Sequence, residues 1–303
     1  MSTSIFNKIE NYFFSIILFL VSVILTINIF GYFHELGYDG EHHKWYIEVM
    51  PLNLPTDQDT KEYFSPPLPY LFPSIIDSVC DKLNETYLLS FDCTYIYGKL
   101  TQILQALMFL GIIFLLRDIS ETIEPKNLKY RNSVLLLFVI IPVSYKSFAM
   151  IRGEPYISFF MFILIAIVTK VAYKKIEITK KLTLFTGIIL GFVGLSRQWG
   201  LLFFPALFVL LMLVVKKNNL TFGNKFIRYS FFSFLISVFV FGWFYLILFL
   251  DYGTITAFNR NPQSFNFYNQ PSSFYFGLGL DDLFSRPIRG FSMTNMLFPV
   301  LYS

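Results

Sequence analysis

The sequence predicts an all-α polytopic membrane protein, a bundle of about seven transmembrane helices with a long extracytoplasmic first loop that carries juxtamembrane helices. Three observations predict it. Charged residues make up only 15% of the 303, against about 25% in a soluble domain, and mean hydropathy is +0.56. Apolar runs near the roughly 20 residues needed to cross a bilayer recur along the chain. Lysine and arginine fall on alternate loops between these runs, as positive-inside sorting requires.

Seven spans follow in order: Asn11–Phe33, Tyr97–Leu116, Ser133–Met150, Tyr156–Tyr173, Leu182–Ser196, Leu201–Val215 and Tyr229–Leu250. Lipid leaves no backbone group to water, so each span is expected as a helix. The first is too long for a signal-peptide core and no small-residue cleavage site follows it, so it is expected to stay. The fifth and sixth are short and flank Ser196-Arg197-Gln198-Trp199-Gly200, which reads as a tight hairpin.

One set of loops carries Arg117, Lys126, Lys129 and Arg131, then Lys174, Lys175, Lys180 and Lys181, then Lys216, Lys217, Lys225 and Arg228. Simple alternation puts these on one side, with Lys8 and the N-terminus, and makes that side cytoplasmic. The other side holds residues 34–96 and the segment 251–303. The loop 34–96 carries 11 of the 20 acidic residues and only Lys44, Lys61 and Lys82. The net charge of +4 thus reflects membrane sorting; no basic helix or nucleic-acid motif is present, and no nucleic-acid partner is expected. The expected setting is the plasma membrane of a prokaryote, or the endoplasmic reticulum membrane of a eukaryote.

The chain divides into a transmembrane domain, 1–250, which includes the loop 34–96, and an extracytoplasmic segment, 251–303. All three histidines lie in His34-Glu35-Leu36-Gly37-Tyr38-Asp39-Gly40-Glu41-His42-His43, with three carboxylates among them. Two helices are expected in the loop. One, about Gly40 to Met50, places Asp39, His42 or His43, and Tyr46 on one face, and Trp45, Ile47 and Val49 at the membrane interface. The other, about Pro69 to Leu83, has Leu68, Leu71, Phe72, Ile75 and Ile76 as its apolar side. The prolines of Pro51 to Pro55 and of Ser65-Pro66-Pro67-Leu68-Pro69 force stiff turns between them. Cys80 and Cys93 also lie here; an exported loop can hold a disulfide, and a bridge or two free thiols both remain open.

The succession Tyr38-Asp39-Gly40-Glu41-His42-His43-Lys44-Trp45-Tyr46-Ile47, then Asn53-Leu54-Pro55, then Ser65-Pro66-Pro67-Leu68-Pro69-Tyr70-Leu71 resembles the N-terminal half of GT-C glycosyltransferases. The likeness is to the branch of protein O-mannosyltransferases and lipid A aminoarabinose transferases, and it covers about residues 10 to 205. It implies a sugar donor linked to a polyprenyl phosphate, its tail held in a lateral groove between helices. The acceptor is a hydroxyl of a lipid, glycan or protein. The acidic residue after the first helix is catalytic in that family and maps onto Asp39, as a base toward the acceptor hydroxyl. The same residue is also placed to cap a helix.

Glu41 would contact substrate, and His42 and His43 would add imidazole to a divalent metal site, since imidazole with carboxylate suits Zn, Mn or Fe. The alternative for these three is a solvated loop face. His34 and Glu35 read as interfacial polar residues. Asp57-Gln58-Asp59 repeats the Asp-x-Asp form in a polar turn with no apolar frame around it. Arg152 and Arg197 are cations at membrane depth, a functional position by default, and suit the phosphate of the leaving group. Glu154 would pair with Arg152 or contact sugar. Relatives place Lys where Arg197 stands, followed by Gly and Pro, here Gly200 and Pro205. No nucleotide-binding fingerprint is present, in keeping with a lipid-linked donor.

Relatives are commonly longer, and Met296-Leu297-Phe298-Pro299-Val300 ends the chain on an apolar note, so a truncated N-terminal fragment is expected. Aromatics and Asn, Asp and Arg in the final segment, among them Tyr252, Asn259, Arg260, Asp281 and Asp282, suit either sugar binding or a surface lid. A transporter or lipid flippase is the alternative class; it predicts a repeat and polar groups at mid-membrane. A seven-helix receptor is disfavoured by the cytoplasmic N-terminus.

Overall fold

The computed structural model describes residues 2–33, 40–141, 145, 147–173, 175–217, 224–253 and 255. His34, Glu35, Asp39, Lys146, Lys174 and the segment from 256 onward lie outside the described residues. Among the described residues the fold is wholly helical: α1 Ser2–Gly31, α2 Gly40–Val49, α3 Leu68–Tyr87, α4 Cys93–Ile123 and α5 Leu128–Ile140. These are followed by α6 Glu154–Ala172, α7 Lys180–Ser196, a 3-10 turn Gln198–Leu202, α8 Phe203–Lys217 and α9 Lys225–Tyr252.

Local chemistry sets the starts. Asp92, Asn127, Thr179 and Asn224 stand at the N-caps of α4, α5, α7 and α9, each accepting a backbone N–H of the first turn; short oxygen-bearing side chains satisfy orphan donors there. Pro155 occupies the first turn of α6, where its missing N–H costs nothing. α9 closes on Gly253 at φ 70°, a left-handed cap that favours glycine.

Among the described residues four helices are long and apolar enough to cross a membrane: Tyr12–Gly31 within α1, then α4, α6 and α9. The expected third, fifth and sixth spans are shorter. α5 has 13 residues, α7 17 and α8 15, against the roughly 20 a full crossing needs.

Contacts fix the direction of the helices. At one end, Arg117 of α4 lies 4.3 Å from the ring of Phe14 in α1. Arg131 of α5 reaches Glu121 of α4 at 3.7 Å, and Lys170 of α6 pairs with Asp118 of α4 at 2.6 Å. Thr186 of α7 bonds Tyr229 of α9 at 2.8 Å. At the other end, Lys99 of α4 donates to the carbonyls of Ile29 and Tyr32, closing the C-terminus of α1. Gln102 binds the carbonyls of Tyr32 at 3.2 Å and Ala149 at 2.6 Å. Thus α1, α5, α7 and α9 run one way, and α4 and α6 the other. Phe14, Ile17, Val21 and Leu25 of α1 and Phe109, Ile112, Ile113 and Leu116 of α4 form the largest apolar core, with Phe148 and Tyr156 beside them.

The outer loop folds as the two expected helices, with Ile47 reassigned. Ile47 is 1% exposed and packs with Tyr46, Tyr70, Tyr97 and Ile151, so it faces protein and not the membrane interface. In α3 the buried residues are Pro69, Tyr70, Pro73, Ser74 and Cys80, while Leu71, Ile75 and Val79 are exposed. Polarity decides this: the Tyr70 hydroxyl finds its partner inward, and burying a hydroxyl without one is costly. Cys80 and Cys93 form a disulfide, with Cα atoms 5.6 Å apart, joining α3 to the first residue of α4. Asn84 closes the intervening turn by donating to the Phe91 carbonyl and accepting from its N–H, both at 3.0 Å. The asparagine of the Asn84-Glu85-Thr86 sequon is therefore engaged in structure.

Where α2 meets α3, Asp77 faces Asp81, Glu48 and Lys44, and burial followed by Asp81 and Glu48 pushes its carboxyl up from 3.8 to about 6. A raised folded-state value means that the stability from this group is complete below pH 3.8 and lost as pH rises through about 6. Asp77→Asn is expected to match wild type in stability near pH 3.5. At pH 7 it should be more stable by about 1 kcal/mol, allowing for solvent screening of a half-buried group. Thermal melts at the two pH values check this; an equal gain at both would remove the titration as its cause.

Candidate functional site

The polar centre of the molecule is built from three segments distant in sequence. α7 ends at Ser196, and Arg197 follows in extended conformation (φ −157°, ψ 147°) before the 3-10 turn. This break aims the guanidinium toward the outer loop. One edge of it meets Glu154 in the first turn of α6, with Nη2 3.1 Å and Nε 3.2 Å from Oε1. Its other nitrogen, Nη1, lies 3.5 Å from Glu62 Oε2 and donates to Ser65 Oγ at 3.2 Å. Ser65 Oγ in turn donates to Glu62.

The three side chains are 14%, 31% and 11% exposed for Arg197, Glu154 and Glu62. One cation therefore stands between two carboxylates. Burial alone pulls the Arg197 guanidinium down, but Tyr70, Glu154 and Glu62 together outweigh it and hold it above its ordinary value. Gly153 makes the approach possible. A Cβ there would strike the Ser196 carbonyl and lie 2.7 Å from Arg197 Cγ, so Arg152-Gly153-Glu154 has room for no side chain at its centre.

An aromatic and histidine layer adjoins this cluster. Tyr70 stacks on Tyr46, with ring centroids 3.9 Å apart, and its hydroxyl shares a 2.7 Å hydrogen bond with His43 Nδ1. Tyr46 donates to the Ser65 carbonyl at 2.9 Å. Burial pushes both phenols well above their ordinary value, so they act as neutral hydrogen-bonding groups. Thr60 donates to the His42 carbonyl at 2.7 Å and Gln198 to the Phe64 carbonyl at 2.7 Å. The turn between α2 and α3 is thereby bound on one side to α2 and on the other to the end of α7.

Of the residues singled out from sequence, Glu154 and Arg197 are brought together. Arg197 pairs with Glu154. Arg152 is half-buried, one residue before Gly153. Glu41 is exposed in the first turn of α2. Asp39, which immediately precedes α2 in the chain, lies outside the described residues.

His42 and His43 do not fit a shared metal. Neighbours on a helix diverge by about 100°; His43 is buried on Tyr70 while the His42 ring lies edge-on to Trp45 at 4.8 Å. Among the described residues no three His, Cys, Asp or Glu side chains gather as a metal set. Asp59 caps its own turn, accepting from the Thr56 N–H and hydroxyl, both at 2.8 Å, and these bonds lower its carboxyl below the usual range.

Glu62 completes the site without having been singled out, together with Tyr46, Ser65 and Tyr70, which the sequence placed on a helix face or in a motif but gave no role. The chain offers one signal for them: a carboxylate and an aromatic pair leading into the rigid Pro66-Pro67 turn. No protein-family model, curated protein or solved structure matches the chain.

Proposed function

We propose that this protein is an integral-membrane glycosyltransferase of the GT-C kind, moving a sugar from a polyprenyl-phosphate donor to an acceptor hydroxyl on the extracytoplasmic side. The observation that carries the proposal is the partly buried Arg197–Glu62–Glu154 cluster, where the folded outer loop meets the ends of the membrane helices. Charges are costly at membrane depth and mark substrate chemistry by default. In this reading α5, α7 and α8 complete seven crossings. The end that carries Arg117, Arg131 and Lys170 faces the cytoplasm. The exposed stripe Leu71, Ile75 and Val79 lays α3 along the outer leaflet.

Asp39, at the entry to α2, takes the proton of the acceptor hydroxyl as its oxygen attacks the anomeric carbon. The bond from that carbon to the phosphate oxygen breaks, and the lipid phosphate leaves with the electron pair. Arg197 and Arg152 sit beside that phosphate and stabilise its charge as it develops. No step is assigned to a metal.

The test compares purified wild type with Asp39→Asn, using radiolabelled polyprenyl-phosphate sugars as donors and membrane extract as acceptor. Transfer by wild type, reduced about a hundredfold in the variant at equal thermal stability, is the expected result. Equal transfer by both would take the base away from Asp39. No transfer by wild type would remove the enzyme reading and bring the transporter class forward.

A further inference from the structure

Arg197 is already occupied, which has a consequence for any anion that approaches it. Its Nε and Nη2 edge is taken by Glu154, a residue fixed at the start of a helix, at 3.1 and 3.2 Å. Its Nη1 side is taken by the loop, through Ser65 at 3.2 Å and Glu62 at the longer 3.5 Å. The two carboxylates and Ser65 already fill the fork of the guanidinium, so a phosphate must displace one of them to reach it. Glu62 is the partner that can leave. Its contact with Arg197 is the longest of the set, and it keeps the Ser65 hydroxyl as a donor. Residues 60–66 hold it through a short turn, with the Ser65 N–H on the Glu62 carbonyl at 2.7 Å and the Glu62 N–H on Thr60 Oγ1 at 3.2 Å.

We infer that Glu62 is an exchangeable latch: it holds the turn between α2 and α3 shut on Arg197 until a phosphate takes its place at Nη1. The inference rests on the transferase reading for the identity of the phosphate. It adds that the outer loop opens when the phosphate binds, so that loop position reports occupancy. Attraction of the anion to Arg197 pays for release of one long ion pair, and the Glu154 pair stays intact to keep the guanidinium aimed.

The test is hydrogen–deuterium exchange of residues 60–66 in the purified full chain, with undecaprenyl phosphate, undecaprenol or inorganic phosphate added, and binding measured in parallel. The latch predicts faster exchange in this stretch with undecaprenyl phosphate and none with undecaprenol. Glu62→Gln should show the faster exchange without ligand and bind undecaprenyl phosphate about fivefold more tightly. Ser65→Ala, which removes the other Nη1 partner, should move both readouts in the same direction. Opening by inorganic phosphate as well would support the exchange and make the phosphate group alone sufficient.

Binding of undecaprenyl phosphate with unchanged exchange at 60–66 would overturn the latch and leave the transferase reading standing. Weaker binding by Glu62→Gln would overturn it too, by making Glu62 part of the ligand site. Failure of any phosphate to bind, in an enzyme that still transfers sugar, would overturn the latch alone; failure together with absent transfer would overturn both.

Discussion

Arg197→Met is expected to lower the unfolding free energy by about 3–5 kcal/mol, the usual cost of removing one member of a buried ionic set. The reason lies in what remains. Glu62 is 11% exposed and Glu154 31%, and both lose the guanidinium that stands between them. The loss also frees the turn between α2 and α3 from α7, leaving Gln198 on the Phe64 carbonyl as the polar tie between them that the arginine does not supply. The variant Arg197→Met/Glu62→Gln/Glu154→Gln is expected to recover most of the loss, because an apolar stem beside two neutral amides carries no stranded charge. Gly153→Ala should approach the effect of Arg197→Met with all three charges present, since its methyl group meets the Ser196 carbonyl and the arginine stem. Thermal or denaturant unfolding in detergent measures all three. A loss under 1 kcal/mol for Arg197→Met, with no recovery in the triple variant, would mean that water reaches the cluster and the ions are separately solvated.

Much of the architecture could be read from the chain because its causes are local. Caps such as Asp92 and Thr179 sit beside the helices they start, and the prolines around α2 and α3 act on their own neighbours. Basic residues sort by side one loop at a time, and Arg117, Arg131 and Lys170 meet at one end of the bundle. What could not be read depends on partners far away. Glu62 lies 135 residues from Arg197, and no spacing rule connects them. Ile47 looked interfacial because Trp45 and Val49 flank it, yet Tyr97 and Ile151, from two other segments, enclose it. In α3 Leu71 and Ile75 of the apolar side are exposed, while the tyrosine and the prolines turn inward. The hydrogen bond of His43 Nδ1 to Tyr70, 27 residues on, had no local signal either. The fifth and sixth spans already read as short, whereas the end of α5 at Ile140 was hidden by the apolar residues that follow it in the sequence.

The double variant Gly187→Leu/Gly191→Leu is expected to destabilise the fold by about 4 kcal/mol, two overpacked sites at 1–3 kcal/mol each with some excess. Gly187, Gly191 and Gly194 form a stripe on α7 that α9 fills. A Cβ on Gly187 would lie 2.6 Å from Ile236 Cβ, one on Gly191 would strike Val240, and one on Gly194 would lie 2.9 Å from the Phe241 ring. In the proposed seven-span arrangement lipid removes the hydrophobic drive between α7 and α9, so close backbone approach through small residues is what binds them. Tyr245 depends on it, since its hydroxyl reaches the Gly194 carbonyl at 2.8 Å. Gly242→Ala is the control. Its new methyl would meet Val238 at 3.6 Å, an ordinary contact, and alanine should gain up to about 1 kcal/mol from helix propensity there. The sign of the effect thus separates packing from propensity within one helix pair. Because Arg197 follows α7 directly, displacement of that helix should also loosen the loop. The double variant is therefore expected to show raised amide exchange at residues 60–66 as well as a lower melting temperature. Loss of stability with normal exchange in that stretch would show that the end of α7 is held by the loop and α6 alone.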